Sequence, residues 1–208
     1  KYHGVVVSPG LSPHEKSENN FFKINKNASD HGIPIWTEVD LFFSALKISA
    51  NKTTVKSKNI AVTGTNGKTT VVYMVKDLLK NLGHDVELAG NVGTSLLEAL
   101  MERKQQGKFP AFWVLELSSF QLEKMKEIQL DLGVLLNISP DHIDHHANFE
   151  EYKKVKNRIK ESKKTTEESN PKKLWSMITG RPQRLVQDIE LKDLPHRHQL
   201  ILTNDHMV

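Results

Sequence analysis

The run 59–63 is apolar between its first and last residues. It leads into GTNGKTT, and Val71, Val75, Leu78, Leu79 and Leu82 then recur at helical spacing. A strand, a glycine-rich turn and a helix in that order belong to a crossover unit, whose next strand must lie parallel to the first. The pattern repeats along the chain. Short apolar strands are expected at 86–88, 112–117 and 132–138, with helices at 68–82, after Gly93 to about Arg103, and at 152–164. Gly83 is placed to end the first of these helices. Nearly continuous apolar strands between helices predict an α/β fold with a parallel sheet covered on both faces.

Ahead of this series, 5–7 and 33–36 read as further strands, and Val39, Leu41, Phe42, Ala45 and Leu46 form a helical stripe. The polar segment 51–58 reads as a linker. From Thr165 onward the pattern weakens, and KKTTEESNPKK reads as loop.

The turn resembles a phosphate-binding loop but lacks its first glycine. In the pattern G-x-x-x-x-G-K-[ST], Gly67, Lys68 and Thr69 fit the end, while Val62 stands at the start. Backbone N–H groups from Gly64, Thr65, Asn66, Gly67, Lys68, Thr69 and Thr70, with the positive end of the following helix, suit phosphate oxygens. Ligands of an open parallel sheet bind beyond the carboxyl ends of its strands. GNVG follows the strand 86–88, Glu116 closes the strand 112–117, and Asp141 and His142 follow 132–138. Four successive strands thus deliver Lys68 and Thr69, Asn91, Glu116, and His142 to one edge. Lys68 suits the β- and γ-phosphates, and the Thr69 hydroxyl and Glu116 are hard oxygen ligands of the kind Mg2+ prefers. An unpaired Glu116 in an apolar strand would be costly, which favours a ligand or ion-pair role. An imidazole at His142 is a less typical partner for that ion.

DHIDHH invites a zinc reading. The chain has no cysteine, and these histidines are as readily surface residues, so the expectation is against a dedicated zinc site. The absence of cysteine fits a cytoplasmic protein. No run approaches the length of a membrane helix, and no signal peptide is visible. The net charge of +4 owes much to Lys153, Lys154, Lys156, Arg158, Lys160, Lys163 and Lys164, read as mostly a solvated helix face. With Tyr152 as the only aromatic in that run, no nucleic-acid partner is expected.

GTNGKTT, GNVG, LELSSFQLE and NISPDHIDHHANFEEYKKVKNRI, in this order, resemble the Mur ligases of bacterial cell-wall synthesis. LELSSFQLE is most similar to the branch that adds D-glutamate. VVVSPGLSP, GIPIWTEVDLFF and the late LPHRHQLI match the same branch. The family's own loop, G-[TS]-N-G-K-[ST], does without the earlier glycine. The resemblance implies a P-loop ATPase-like central domain (51–190) preceded by part of a Rossmann-like domain that binds the UDP substrate (1–50). It implies the start of a C-terminal ligase domain at 191–208. It implies an ATP- and Mg2+-dependent amide-bond ligase joining D-glutamate to UDP-N-acetylmuramoyl-L-alanine through an acyl phosphate, acting as a monomer.

By resemblance, Lys68, Glu116, His142 and Lys156 are catalytic. Thr69, Glu116, His142 and a carbamylated Lys156 hold metal, and Arg197 points toward the ATP phosphates. Gly10, Asn91, Ser118, Ser119 and Gln121 contact the UDP-muramyl substrate. From the residues alone, Lys156 is one lysine in a basic helix. The stretch between Ile159 and Leu194 is short for the family, and no C-terminal domain follows Val208, so the chain by itself is expected to be inactive. Other expectations stay open: another Mur ligase, a folylpolyglutamate synthetase, or a nucleotide-binding module without ligase activity.

Overall fold

A computed structural model describes residues 3–11, 21–50 and 56–167. The elements in chain order are β1 (Val5–Val7), α1 (Phe21–Asp30), β2 (Ile35–Thr37), α2 (Glu38–Ala50), β3 (Lys58–Thr63), α3 (Lys68–Asn81), β4 (Val86–Gly90), α4 (Leu96–Gln105), β5 (Phe112–Glu116), α5 (Ser119–Lys124), β6 (Leu132–Leu135), α6 (Ile143–His146), α7 (Phe149–Asn157), a 3-10 turn (Arg158–Glu161) and β7 (Thr165–Glu167). Strands β1 and β2 pair in a small parallel sheet, and the other five form a parallel sheet in the order β4-β5-β3-β6-β7. The α/β parallel-sheet expectation is met.

Alternation along the central strands sorts two cores. Ile60, Val62, Phe112, Val114, Leu132 and Val134 face one side, where Val72, Val75 and Leu79 of α3 cover them. Ala61, Trp113, Leu115 and Leu135 face the other, against α2, α4 and α7. Fully burying an aliphatic or aromatic side chain of this size is worth about 1.5–3 kcal/mol. Phe42 of α2 sets its ring edge-on to Trp113, with centroids 5.1 Å apart. Helix α2 therefore packs into the core of the large sheet.

Val62 is fully buried in the α3-side core. The position where the general pattern has glycine is here the interior of a strand, so the loop starts only at Gly64. A Cβ on Gly64 would lie 2.7 Å from Cβ of Leu136, so this glycine is required by close approach. Gly67, at φ 81°, turns the loop into α3.

One expectation is corrected. Residues 165–167, read as loop, form an edge strand paired with β6, where neighbouring strand groups override a weak local pattern. The basic run is mostly a solvated face, as expected, with two exceptions: Lys156 is buried at 2% exposure, and Arg158 turns inward to the carbonyls of Leu122, Glu123 and Met125. Among the described residues, no helix is long and apolar enough to cross a membrane.

Candidate functional site

Helices α4, α5 and α7 each begin with a side-chain cap, from Ser95, Ser118 and Asn148. Helix α3 begins at Gly67 without one, as does α6 at His142. The first-turn N–H groups of α3 have no partner within the helix, which makes its start an anion site in waiting. The loop before it is braced from β6. Thr65 N–H donates to the Asn137 carbonyl at 2.8 Å, and Asn66 N–H to Asn137 Oδ1 at 2.9 Å. Thr65 Oγ1 meets the Tyr152 hydroxyl at 2.9 Å and accepts from Ser139 N–H at 3.0 Å. Lys68 Nζ donates to the carbonyls of Gly64 and Thr65, at 3.0 and 2.8 Å, so its charge sits against the loop.

Glu116 is 2% exposed. The alternation that sends Phe112 and Val114 toward α3 sends Glu116 there too. Its Oε2 accepts from Thr69 Oγ1 at 2.8 Å, and its Oε1 from Asn91 Nδ2 at 2.9 Å. The backbone joins in, with Asn91 N–H donating to the Glu116 carbonyl at 2.9 Å. Gly90 allows this: a Cβ there would lie 2.4 Å from the Glu116 oxygen. A carboxylate and a hydroxyl on one point, beside a phosphate loop, form a hard-oxygen pair that fits Mg2+.

Lys156 enters from α7. Its Nζ donates to Thr63 Oγ1 at 3.3 Å and lies 5.1 Å from the centre of the Tyr152 ring. Burial and the nearby Lys68 charge push its pKa down to about 7, against weaker support from Asp141 and Glu116. A buried amine that is partly neutral near pH 7 is a nucleophile, a property invisible in a basic helix read from sequence.

The edge therefore unites Lys68, Thr69, Asn91, Glu116 and Lys156. Thr70 lies half-buried in the first turn of α3. His142 is less engaged. Its Nε2 lies 3.5 Å from Asp141 Oδ2, its ring is tilted against Phe120 at 4.9 Å, and its side chain is half exposed. It holds φ 49°, an uncommon conformation for a residue with a Cβ. Ser118 and Gln121 satisfy each other as the capping box of α5, and Ser119 Oγ is 2.9 Å from His146 Nε2. Gly10 lies on the exposed turn after β1, where Lys124 Nζ donates to the carbonyls of Ser8, Pro9 and Leu11. Arg197 lies outside the described residues.

Three features go beyond what the sequence predicts. Asn137 and Tyr152 brace the loop; the polar residue just after an apolar strand was the available signal for the first, and nothing marked the second. The third is that His145 and His146, which by sequence are as readily surface residues, are buried at 7% and 0% exposure. Both contact Glu123. A cavity of about 710 Å3, lined in part by Lys58, Asn59, Ile128 and Asp131, opens near the start of β3, at the opposite end of the strands from these groups. The converging polar side chains, not that cavity, mark the site.

Fold and site define a parallel-sheet nucleotide-binding protein of the phosphate-loop class. The Mur ligase middle domain model matches residues 62–169, half of the chain. The chain belongs to the Mur ligase family. It is 43% identical over 155 residues to the UDP-N-acetylmuramoylalanine–D-glutamate ligase of Nitrosospira multiformis, covering 74% of this chain and 31% of that protein. The same-named enzyme of Bordetella pertussis is 38% identical, over 74% of this chain and 30% of its own length. The chain thus spans about a third of the length of the curated relatives it matches. Among solved structures, a UDP-N-acetylmuramoyl-L-alanyl-D-glutamate–2,6-diaminopimelate ligase is similar with a TM-score of 0.49 and 23% identity, over 72% of this chain and 36% of that one.

Proposed function

We propose that the protein carrying this chain is an ATP-dependent, ADP-forming ligase that joins D-glutamate to UDP-N-acetylmuramoyl-L-alanine in peptidoglycan synthesis. The observation that carries the reading is the contact of Thr69 with Glu116 at 2.8 Å, which joins the phosphate loop to a buried carboxylate. The names of the relatives supply the amino acid.

The bare start of α3 and Lys68 bind the ATP phosphates and neutralise charge as the γ-phosphoryl group is transferred. A carboxylate oxygen of the substrate attacks the γ-phosphorus, and ADP leaves. The D-glutamate amine then adds to the acyl carbon and gives up a proton. Inorganic phosphate departs with the former carboxylate oxygen, and an amide remains. Thr69 and Glu116 are the residues that would hold Mg2+, which supplies charge neutralisation when bound. Lys156, partly neutral near pH 7, is suited to add CO2 and release a proton, which would leave a carbamate, an anion at the same edge. His142 joins this set by the family resemblance, and Asn91, Ser118, Ser119, Gln121 and Gly10 frame the UDP-muramyl side.

We read 1–50 as belonging to the UDP-substrate domain, 51–190 to the ATP domain and 191–208 to the ligase domain. The working protein is read as a cytoplasmic monomer. The test is ADP formation by the full-length protein with ATP, Mg2+, UDP-N-acetylmuramoyl-L-alanine and a panel of amino acids. D-Glutamate alone should stimulate turnover. Stimulation by another amino acid, or by a folate acceptor, overturns the assignment, and so does ATP binding with no acceptor-dependent turnover.

A further inference from the structure

Beyond the phosphate loop, one cluster has a geometry that the ligase reading does not use. Glu123 on α5 faces two consecutive histidines of α6. Its Oε2 is 3.1 Å from His145 Nε2, and its Oε1 is 3.2 Å from His146 Nδ1. The three candidate ligand atoms lie within 4.8 Å of one another. We propose that Glu123, His145 and His146 form a binding site for one divalent transition-metal ion of the zinc type.

Bonds of about 2.0–2.2 Å from zinc to nitrogen and oxygen imply ligand-to-ligand distances of about 3.3–3.5 Å in a tetrahedral site. The two nitrogen–oxygen separations, each to a different oxygen of Glu123, are within a few tenths of an ångström of that value, and an ion would draw the three ligand atoms together from within 4.8 Å of one another. Two imidazoles and one carboxylate are a donor set that zinc and its neighbours accept readily and that Mg2+ does not favour. The outer contacts fit as well. His146 Nε2 lies 2.9 Å from Ser119 Oγ, the kind of bond that fixes a ligating imidazole's tautomer and orientation. The His145 ring lies over Phe120 with centroids 4.0 Å apart, which limits its rotation.

The backbone gives an independent sign. Among the described residues, His142 and Ala147, at φ 49° and 65°, are the two non-glycine residues with positive φ, and they flank α6. A four-residue helix between two strained positions has little stability of its own, and such strain persists only where surrounding contacts hold it. Between these two positions both histidines meet one carboxylate. A metal there would fasten α6, which His142 precedes, to α5, which carries Ser119.

The alternative occupant is a proton on each imidazole, donated to Glu123, and the experiment separates the two. Chelator-treated full-length protein is titrated with Zn2+ by calorimetry and with Co2+ by visible absorption. The expected result is one equivalent of Zn2+ at micromolar or tighter affinity, unaffected by excess Mg2+, with Co2+ bands of a low-symmetry site. His145→Gln and Glu123→Gln should each weaken binding tenfold or more and abolish the bands, while His31→Gln behaves as the parent does. His145→Gln leaves the Ser119 contact in place and serves alone if Glu123→Gln does not fold. No binding by the parent, or equal binding by the parent and His145→Gln, overturns the proposal. Neither readout involves nucleotide, so this site and the ligase reading fail or stand separately.

Discussion

Thr69 and Glu116 meet at 2.8 Å although one opens α3 and the other closes β5. That single hydrogen bond joins the phosphate loop to the neighbouring strand and sets a hydroxyl and a buried carboxylate on one point. Glu116→Gln keeps the shape and can still bond to Asn91 and Thr69, but it removes the charge. The fold should survive, and acceptor-dependent turnover should fall about 100- to 1000-fold. Calorimetry should show that Mg2+ no longer strengthens ATP binding. An unchanged Mg2+ effect would remove Glu116 from the metal site.

Gly64→Ala places a Cβ 2.7 Å from Leu136, and the loop or β6 must shift. Overpacking of this kind costs about 1–3 kcal/mol. Urea denaturation should register the loss, and nucleotide affinity should fall with it. A variant as stable as the parent, with equal affinity, would show that the loop tolerates the approach.

Lys156 sets a pH dependence. Its pKa in the folded protein is about 7, below the ordinary 10.5, so between these values the unfolded chain holds the proton more tightly. Stability must then rise with pH across this window, by at most about 1.4 kcal/mol per unit. Below pH 7 both states are protonated and the cost of the buried charge is fully present. Lys156→Met should flatten the rise, measured by chemical denaturation from pH 6 to 10. A rise of equal slope in the variant would assign it to another group.

Lys124 Nζ reaches the carbonyls of Ser8, at 3.2 Å, and Pro9, at 2.5 Å, and also that of Leu11. It ties the turn bearing Gly10 to α5. Lys124→Met should weaken binding of UDP-N-acetylmuramoyl-L-alanine about tenfold and leave ATP binding unchanged, as isothermal titration with each ligand would show. Equal loss for both ligands would point to general unfolding instead.

Much of this arrangement was legible in the residues. Alternating apolar strands and helical stripes specify a parallel sheet, and a parallel sheet sends the residues after each strand to one edge. That is why the sequence alone groups Lys68, Thr69, Asn91 and Glu116 at one edge. Side-chain direction was not legible in the same way. The period of strand β5 aims Glu116 at α3, but whether Lys156 points to solvent or to Thr63 depends on how α7 docks. Strand β7 carries almost no pattern of its own and exists because β6 offers it a ladder. The burial of His145 and His146 goes with positive φ at His142 and Ala147, a backbone conformation that residues with a Cβ seldom take.

The central claim is that the loop delivers the ATP γ-phosphoryl group to a substrate carboxylate. It is tested most directly by labelling both oxygens of that carboxylate of UDP-N-acetylmuramoyl-L-alanine with 18O and analysing the phosphate released by the full-length protein with ATP and D-glutamate. The account predicts one 18O atom in each phosphate formed, because the attacking oxygen leaves with phosphorus. Phosphate free of 18O, formed alongside amide or without it, would contradict the account.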